Sequence, residues 1–206
     1  MMDNALLLMS IGAVAYRLIA LGLDRASRFK ERTLEEVFDF VYPLTNQDAN
    51  ALFSAKEEEE VAQFWQTKEL YQEEQGRRLG RAQAYILRRQ HNALIIEQWA
   101  NTEWSDMRKH SLQDEAGPDL IQAILEVKQA ARAFRMASSM VLVKISFWSL
   151  LRVVDKCRLF PAPNIAGLRR TGRLDLLTGY QAVRETALAL ASFYGAERFA
   201  LLQSLI

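Results

Sequence analysis

Residues 118–156 read PDLIQAILEVKQAARAFRMASSMVLVKISFWSLLRVVDK, and no Gly or Pro follows Pro118 within them. Leu120, Ile124, Val127, Ala131, Phe134, Ser138, Val141, Ile145 and Trp148 recur at alternating steps of four and three residues, and all but Ser138 are apolar. Such a repeat keeps one stripe of an α-helix turned toward a neighbouring helix. Upstream, Leu79, Ala82, Ile86, Ala93, Ile96, Ala100 and Met107 follow the same period at steps of three, four and seven. Gln113–Gly117 between them is short and loop-like, and Pro118 suits a first helical turn. The two stretches predict long antiparallel helices packed along apolar seams, with Ile86, Ile96, Ile124, Phe134 and Val141 buried. Gly76 and Gly80 weaken the upstream helix and mark a candidate bend.

Outward from this pair the helical reading continues. Thr33 and Glu36 form a T-x-x-E capping box before Val37, Phe38, Phe40 and Val41, and Pro43 stops that short helix. Ser54 and Glu57 repeat the pattern, and Glu57 to Glu60 place negative charge in the next first turn, where the helix dipole favours it. From Ala55 onward the pattern is helical for a long way, with Val61, Phe64, Trp65 and Tyr71 on one face. Pro161 and Pro163 end the second long helix, and Gly167 and Gly172 mark a loop. Tyr180, Val183, Ala187, Leu190 and Tyr194 then line a last amphipathic helix. Gly195 breaks it before Phe199, Leu202 and Leu205. No strand and no internal repeat is expected. The fold class is all-α.

Ala5–Leu23 carries Leu6, Leu7, Leu8, Ile11, Val14, Leu18, Ile19 and Leu21 around the whole helical circumference. As a helix these residues would span roughly 28 Å, close to the bilayer hydrocarbon core. Arg17 opposes insertion by about 2.5–3.5 kcal/mol at the bilayer centre, and its long stem can reach toward the headgroups. Only Asp3 is charged before the run, whereas Arg25, Arg28, Lys30 and Arg32 follow it. The positive-inside rule then places the short N-terminus outside and the rest of the chain in the cytoplasm. The expected organisation is a membrane anchor with its basic flank over residues 1–32, and a cytoplasmic helical bundle over 33–206. A cleaved signal peptide would want a basic start, which is absent, although Ala13-Val14-Ala15 resembles a cleavage site. A helix buried in a bundle or between subunits can also be apolar all round.

The chain has 206 residues, half of them hydrophobic and a quarter charged, with a net charge of +1. That balance excludes a disordered or collagen-like chain and a polytopic membrane protein. Charge is segregated nonetheless. Thr33–Gly76 holds 11 acidic and 2 basic residues, net −9, and Val127–Arg173 holds 10 basic and 1 acidic, net +9. The two segments either complement each other inside the fold, or the basic one faces an anionic surface. Met136–Val154 is strongly apolar but has Lys144 near its middle. As a second span it would put Lys156, Arg158, Arg169, Arg170 and Arg173 on the wrong side. It reads as a core helix, or as one lying on the membrane with Lys144 and Arg152 toward headgroups; Lys156 and Arg158 extend that candidate contact.

Chemistry-bearing patterns are few. The single cysteine, Cys157, excludes an internal disulfide framework, and its neighbours Lys156 and Arg158 favour a thiolate without supplying a catalytic base. His91 and His110 are 19 residues apart with no E-x-x-H or H-E-x-x-H pattern, so helix-borne metal ligation is not indicated. Gly76-Arg-Arg-Leu-Gly80 has charged flanks, unlike a membrane dimerisation motif. The four Trp read as core or interface rather than a base-stacking platform, and no known nucleic-acid module surrounds Arg169, Arg170 and Arg173. No catalytic, cofactor or metal site and no small-molecule or nucleic-acid ligand is expected. The expected function is a non-enzymatic single-pass scaffold or assembly subunit at the inner face of a cell membrane, touching lipid and binding a protein partner or itself. Two alternatives remain: a cytoplasmic homo-oligomer with the first helix buried at its interface, and a helical enzyme or cofactor-binding bundle without a recognisable motif.

Overall fold

The computed structural model describes residues 32–43, 52–64, 68–109, 117–154, 165–168, 170–171 and 174–206. These residues are predominantly helical. The helices are α1 (Leu34–Phe40), α2 (Ala55–Phe64), α3 (Lys68–Lys109), α4 (Pro118–Val154), α5 (Ile165–Leu168), α6 (Leu176–Ala191) and α7 (Ala196–Leu205). A short 3₁₀ turn, Ser192–Tyr194, joins the last two.

Local signals set several of these boundaries. The Thr33 hydroxyl accepts from Glu36 N, and Thr33 N donates back to the Glu36 carboxylate at 3.2 Å, which completes the capping box. α1 ends at Phe40, Val41 is extended, and Pro43 follows. Pro118 opens α4, where its missing N–H costs nothing. Asp175 caps α6 by accepting from Leu177 N at 2.9 Å and Thr178 N at 3.4 Å. Gly195 turns the chain into α7 at φ 103°, a backbone conformation that side chains disfavour.

α3 and α4 are the frame. With 42 and 37 residues, they would extend roughly 63 and 55 Å. Their pairing is antiparallel: Gln90 meets Ser139, Glu97 meets Arg132, and Trp104 meets Lys128, so one number climbs as the other falls. Every residue of the upstream seam, from Leu79 to Met107, is buried. On α4, Ile124, Val127, Ala131, Phe134, Ser138, Val141 and Ile145 are buried, and Leu120 and Trp148 are half-buried. α6 packs against α4, and its Tyr180, Val183, Ala187 and Leu190 are all buried. The Phe134 and Tyr180 rings meet edge to face at 5.4 Å.

One sequence expectation, the absence of strands, is corrected by the structure. α3 runs without interruption through Gly76 and Gly80. Glycine weakens a helix by about 1 kcal/mol, an amount that packing of the long seam outweighs. The helical stretch expected from Ala55 is present as α2 and α3, with residues 65–67 between them outside the described residues. A small strand pair is also present: β1 (Arg170–Thr171) and β2 (Leu174–Asp175) pair antiparallel, with Arg170 opposite Asp175 and Thr171 opposite Leu174. Two-residue strands carry no usable alternation, so their pattern is invisible to periodicity.

No helix among the described residues is long and apolar enough to cross a membrane. The expected anchor, Ala5–Leu23, and the flanking Arg25, Arg28 and Lys30 lie outside the described residues, as do Cys157, His110, Lys156 and Arg158.

Candidate functional site

Three faces of α3 carry polar side chains inward, each toward a different neighbour. Helical spacing separates them: residues 86, 90, 93, 97, 100 and 104 share one face, 85, 89, 92, 96 and 99 a second, and 91, 95, 98 and 102 a third.

The first face meets α4. Gln90 Nε2 donates to Ser139 Oγ at 2.7 Å, and Glu97, nearly buried, accepts from Arg132 Nε at 2.9 Å and from Arg135 Nη1. One carboxylate thus holds two guanidinium groups. The Lys128 ammonium lies 5.2 Å from the Trp104 ring centre. Burial, then the neighbouring Arg132 charge, pushes the Lys128 pKa down, against the attraction of Glu97.

The second face meets α6. The Arg89 guanidinium, only 3 % exposed, is stacked between the Tyr85 and Tyr180 rings at 4.4 and 4.3 Å. Burial lowers its pKa, and the nearby Arg184 charge adds to that, while the two tyrosines oppose it. Asn92 Nδ2 donates to the Tyr180 hydroxyl at 3.1 Å. Burial pushes the Tyr180 phenol up from its ordinary value. Further along, Trp99 Nε1 donates to Glu103 at 2.8 Å, and the Trp99 and Tyr194 rings lie 6.0 Å apart. Burial, followed by a hydrogen bond to Glu103, raises the Tyr194 phenol well above its ordinary range.

The third face, with Asn92 at its edge, straps residues 32–43 onto the helix. Arg32 N donates to Thr102 Oγ1 at 2.8 Å, and Arg32 Nε to Gln98 Oε1 at 2.7 Å. The Arg32 guanidinium covers the Phe40 ring at 4.3 Å. The His91 ring nitrogen is 3.1 Å from Phe40 O, and its ring lies 5.0 Å from Tyr42. Asn92 Oδ1 accepts from Tyr42 N at 2.9 Å, and Asn92 Nδ2 donates to Tyr42 O at 2.8 Å. The amide therefore treats Tyr42 as a strand would treat its partner.

These groups fasten elements to one another rather than converge on one reacting centre. Among the described residues no three His, Cys, Asp or Glu side chains are grouped to hold a metal ion. His91, on α3, packs against the strap through Phe40 O and the Tyr42 ring.

The outer face of α4 differs from its inner one. Ala133, Met136, Met140 and Phe147 are exposed and Val143 is half-buried, and all lie along one side of the helix. Met136 is 62 % exposed. Lys144 is exposed beside this stripe, with no carboxylate at ion-pair distance among the described residues. Met136–Val154 is thus two-sided, because Ala137, Ser138, Val141, Leu142 and Ile145 are core. Arg152 belongs to α4, but its side chain lies outside the described residues. The described ion pairs of Glu35, Glu60, Glu73 and Glu74 run to Arg198, Lys56, Arg77 and Arg81. None of these pairs reaches the basic segment 127–173.

Sequence reading did not find Arg89, Asn92 or Glu97. The signal was present in their positions: Asn92 shares a face with Ile96 and Trp99, and Glu97 one with Ala93 and Ala100. A polar residue within an otherwise buried stripe marks an interior bond. No family model, no curated protein and no solved structure matches the chain.

Proposed function

We propose that the chain is a non-enzymatic, single-pass scaffold or assembly subunit that holds a protein partner, or a second copy of itself, at the inner face of a cell membrane. The apolar run Ala5–Leu23 supplies the attachment and its basic flank the orientation. The observation that carries the reading is the strap. Arg32, the last basic residue of that flank, is fixed to Gln98 and Thr102 of α3. Ten residues later Tyr42 is fixed to Asn92. The run that would sit in lipid is thus followed, from Arg32 on, by a strap bonded to the helical body. That coupling suits a protein whose task is to hold something at a set position.

The test is the mass of the protein extracted from its own membranes in mild detergent, read by light scattering with the detergent contribution subtracted. The proposal expects a stoichiometric assembly, with either several copies or a second polypeptide in fixed ratio. A single chain with nothing in fixed ratio would overturn it.

A further inference from the structure

We infer that the outer face of α4 lies on an anionic lipid surface, a contact that rests on the membrane-held reading above. Ala133, Met136, Met140, Val143 and Phe147 make an apolar stripe about 21 Å long at helical rise. From Val127 to Val154 the chain holds Lys128, Arg132, Arg135, Lys144 and Arg152 and no Asp or Glu. Arg132 and Arg135 share the single Glu97 carboxylate, so that cluster keeps one positive charge. Lys144 sits beside the stripe, where its stem can cover apolar surface while the ammonium reaches phosphate.

Charge decides among the occupants. A second copy pairing stripe to stripe would bring the two Lys144 ammonium groups and the two net positive Arg132–Arg135 clusters together, which opposes association. A bilayer interface accepts an apolar helix face with cations beside it without shape complementarity.

The experiment uses the full-length chain with Cys157→Ser and a nitroxide on Met140→Cys, or in a second preparation on Phe147→Cys. It is reconstituted in phosphatidylcholine vesicles with and without phosphatidylserine. Collision with oxygen against collision with a water-soluble nickel chelate reports whether the label faces lipid or water. A label on Gln181→Cys, exposed on α6, is the reference. The expected result is that Met140 and Phe147 labels lose nickel access and gain oxygen access on anionic vesicles only. High salt or Lys144→Glu should reverse this, while the Gln181 label stays aqueous. Co-floating protein whose Met140 label stays open to nickel on anionic vesicles would overturn the inference and leave membrane attachment standing. So would protection that is equal in neutral vesicles or in detergent, which would mean that residues 1–23, a second copy or a partner protein covers the face. Failure to co-float at all would overturn the membrane-held reading and the inference with it.

Discussion

Asn92 and Tyr42 are joined in both directions, side-chain amide to backbone N–H and C=O, at 2.9 and 2.8 Å. Asn92 is fully buried, and its amide also reaches the Tyr180 hydroxyl. One side chain therefore ties the N-terminal strap, α3 and α6 together. Asn92→Ala orphans groups on both neighbours and is expected to cost about 3 kcal/mol, at the upper end for buried unsatisfied partners. Chemical denaturation measures the loss. Limited proteolysis should show cleavage within 32–43 accelerating more than cleavage within α4.

Glu97 holds Arg132 and Arg135 between the two long helices. Glu97→Gln removes the charge opposite the mostly buried Arg135 and should destabilise by about 3–5 kcal/mol. Replacing both partners, Glu97→Leu with Arg135→Met, should recover most of that loss, because no buried charge is then left alone. A double-mutant cycle reads the coupling. Equal losses in the single and double variants would mean that the pair does not bridge the helices.

Phe134 and Gly179 give opposite signs at one contact. Phe134→Ala empties a buried site and should cost about 3–5 kcal/mol. A methyl added at Gly179 would meet the Phe134 ring at 3.4 Å, an ordinary contact. Gly179→Ala should therefore gain up to about 1 kcal/mol of helix propensity. Thermal melts of the two variants should move in opposite directions.

The buried phenols set an alkaline limit. Burial raises Tyr180, and burial together with the Glu103 hydrogen bond raises Tyr194. Their folded pKa values lie above the unfolded value of about 10, so the stability they contribute is complete below that pH and is lost as pH rises beyond it. The melting temperature should be flat on this account up to about pH 10 and fall above it. Tyr194→Phe should flatten the fall, with tyrosinate absorbance rising together with unfolding.

Periodicity made the frame legible. The seam from Leu79 to Met107 and the one from Ile124 to Ile145 are buried as their spacing required, and Tyr180, Val183, Ala187 and Leu190 are buried on α6. What it could not supply was the polar interior. Arg89 and Glu97 look like solvated residues in a sequence, because their partners Tyr180 and Arg135 are brought to them only by the tertiary fold. The strap was half legible: the Thr33 capping box marked α1, but nothing near Arg32 or Tyr42 in the chain announces Thr102 or Asn92. The outer face of α4 was legible as an apolar segment with a lysine. Which of its residues face inward needed the position of α3 and α6.

Membrane attachment is the claim on which the functional account turns. The direct measurement is the partition of the full-length chain in cell fractions washed with alkaline carbonate, beside a chain lacking residues 1–23. The account predicts that the full-length protein stays in the membrane pellet and leaves it only with detergent. The shortened chain should move to the supernatant with its helical melt intact. Full-length protein in the supernatant without detergent would contradict it.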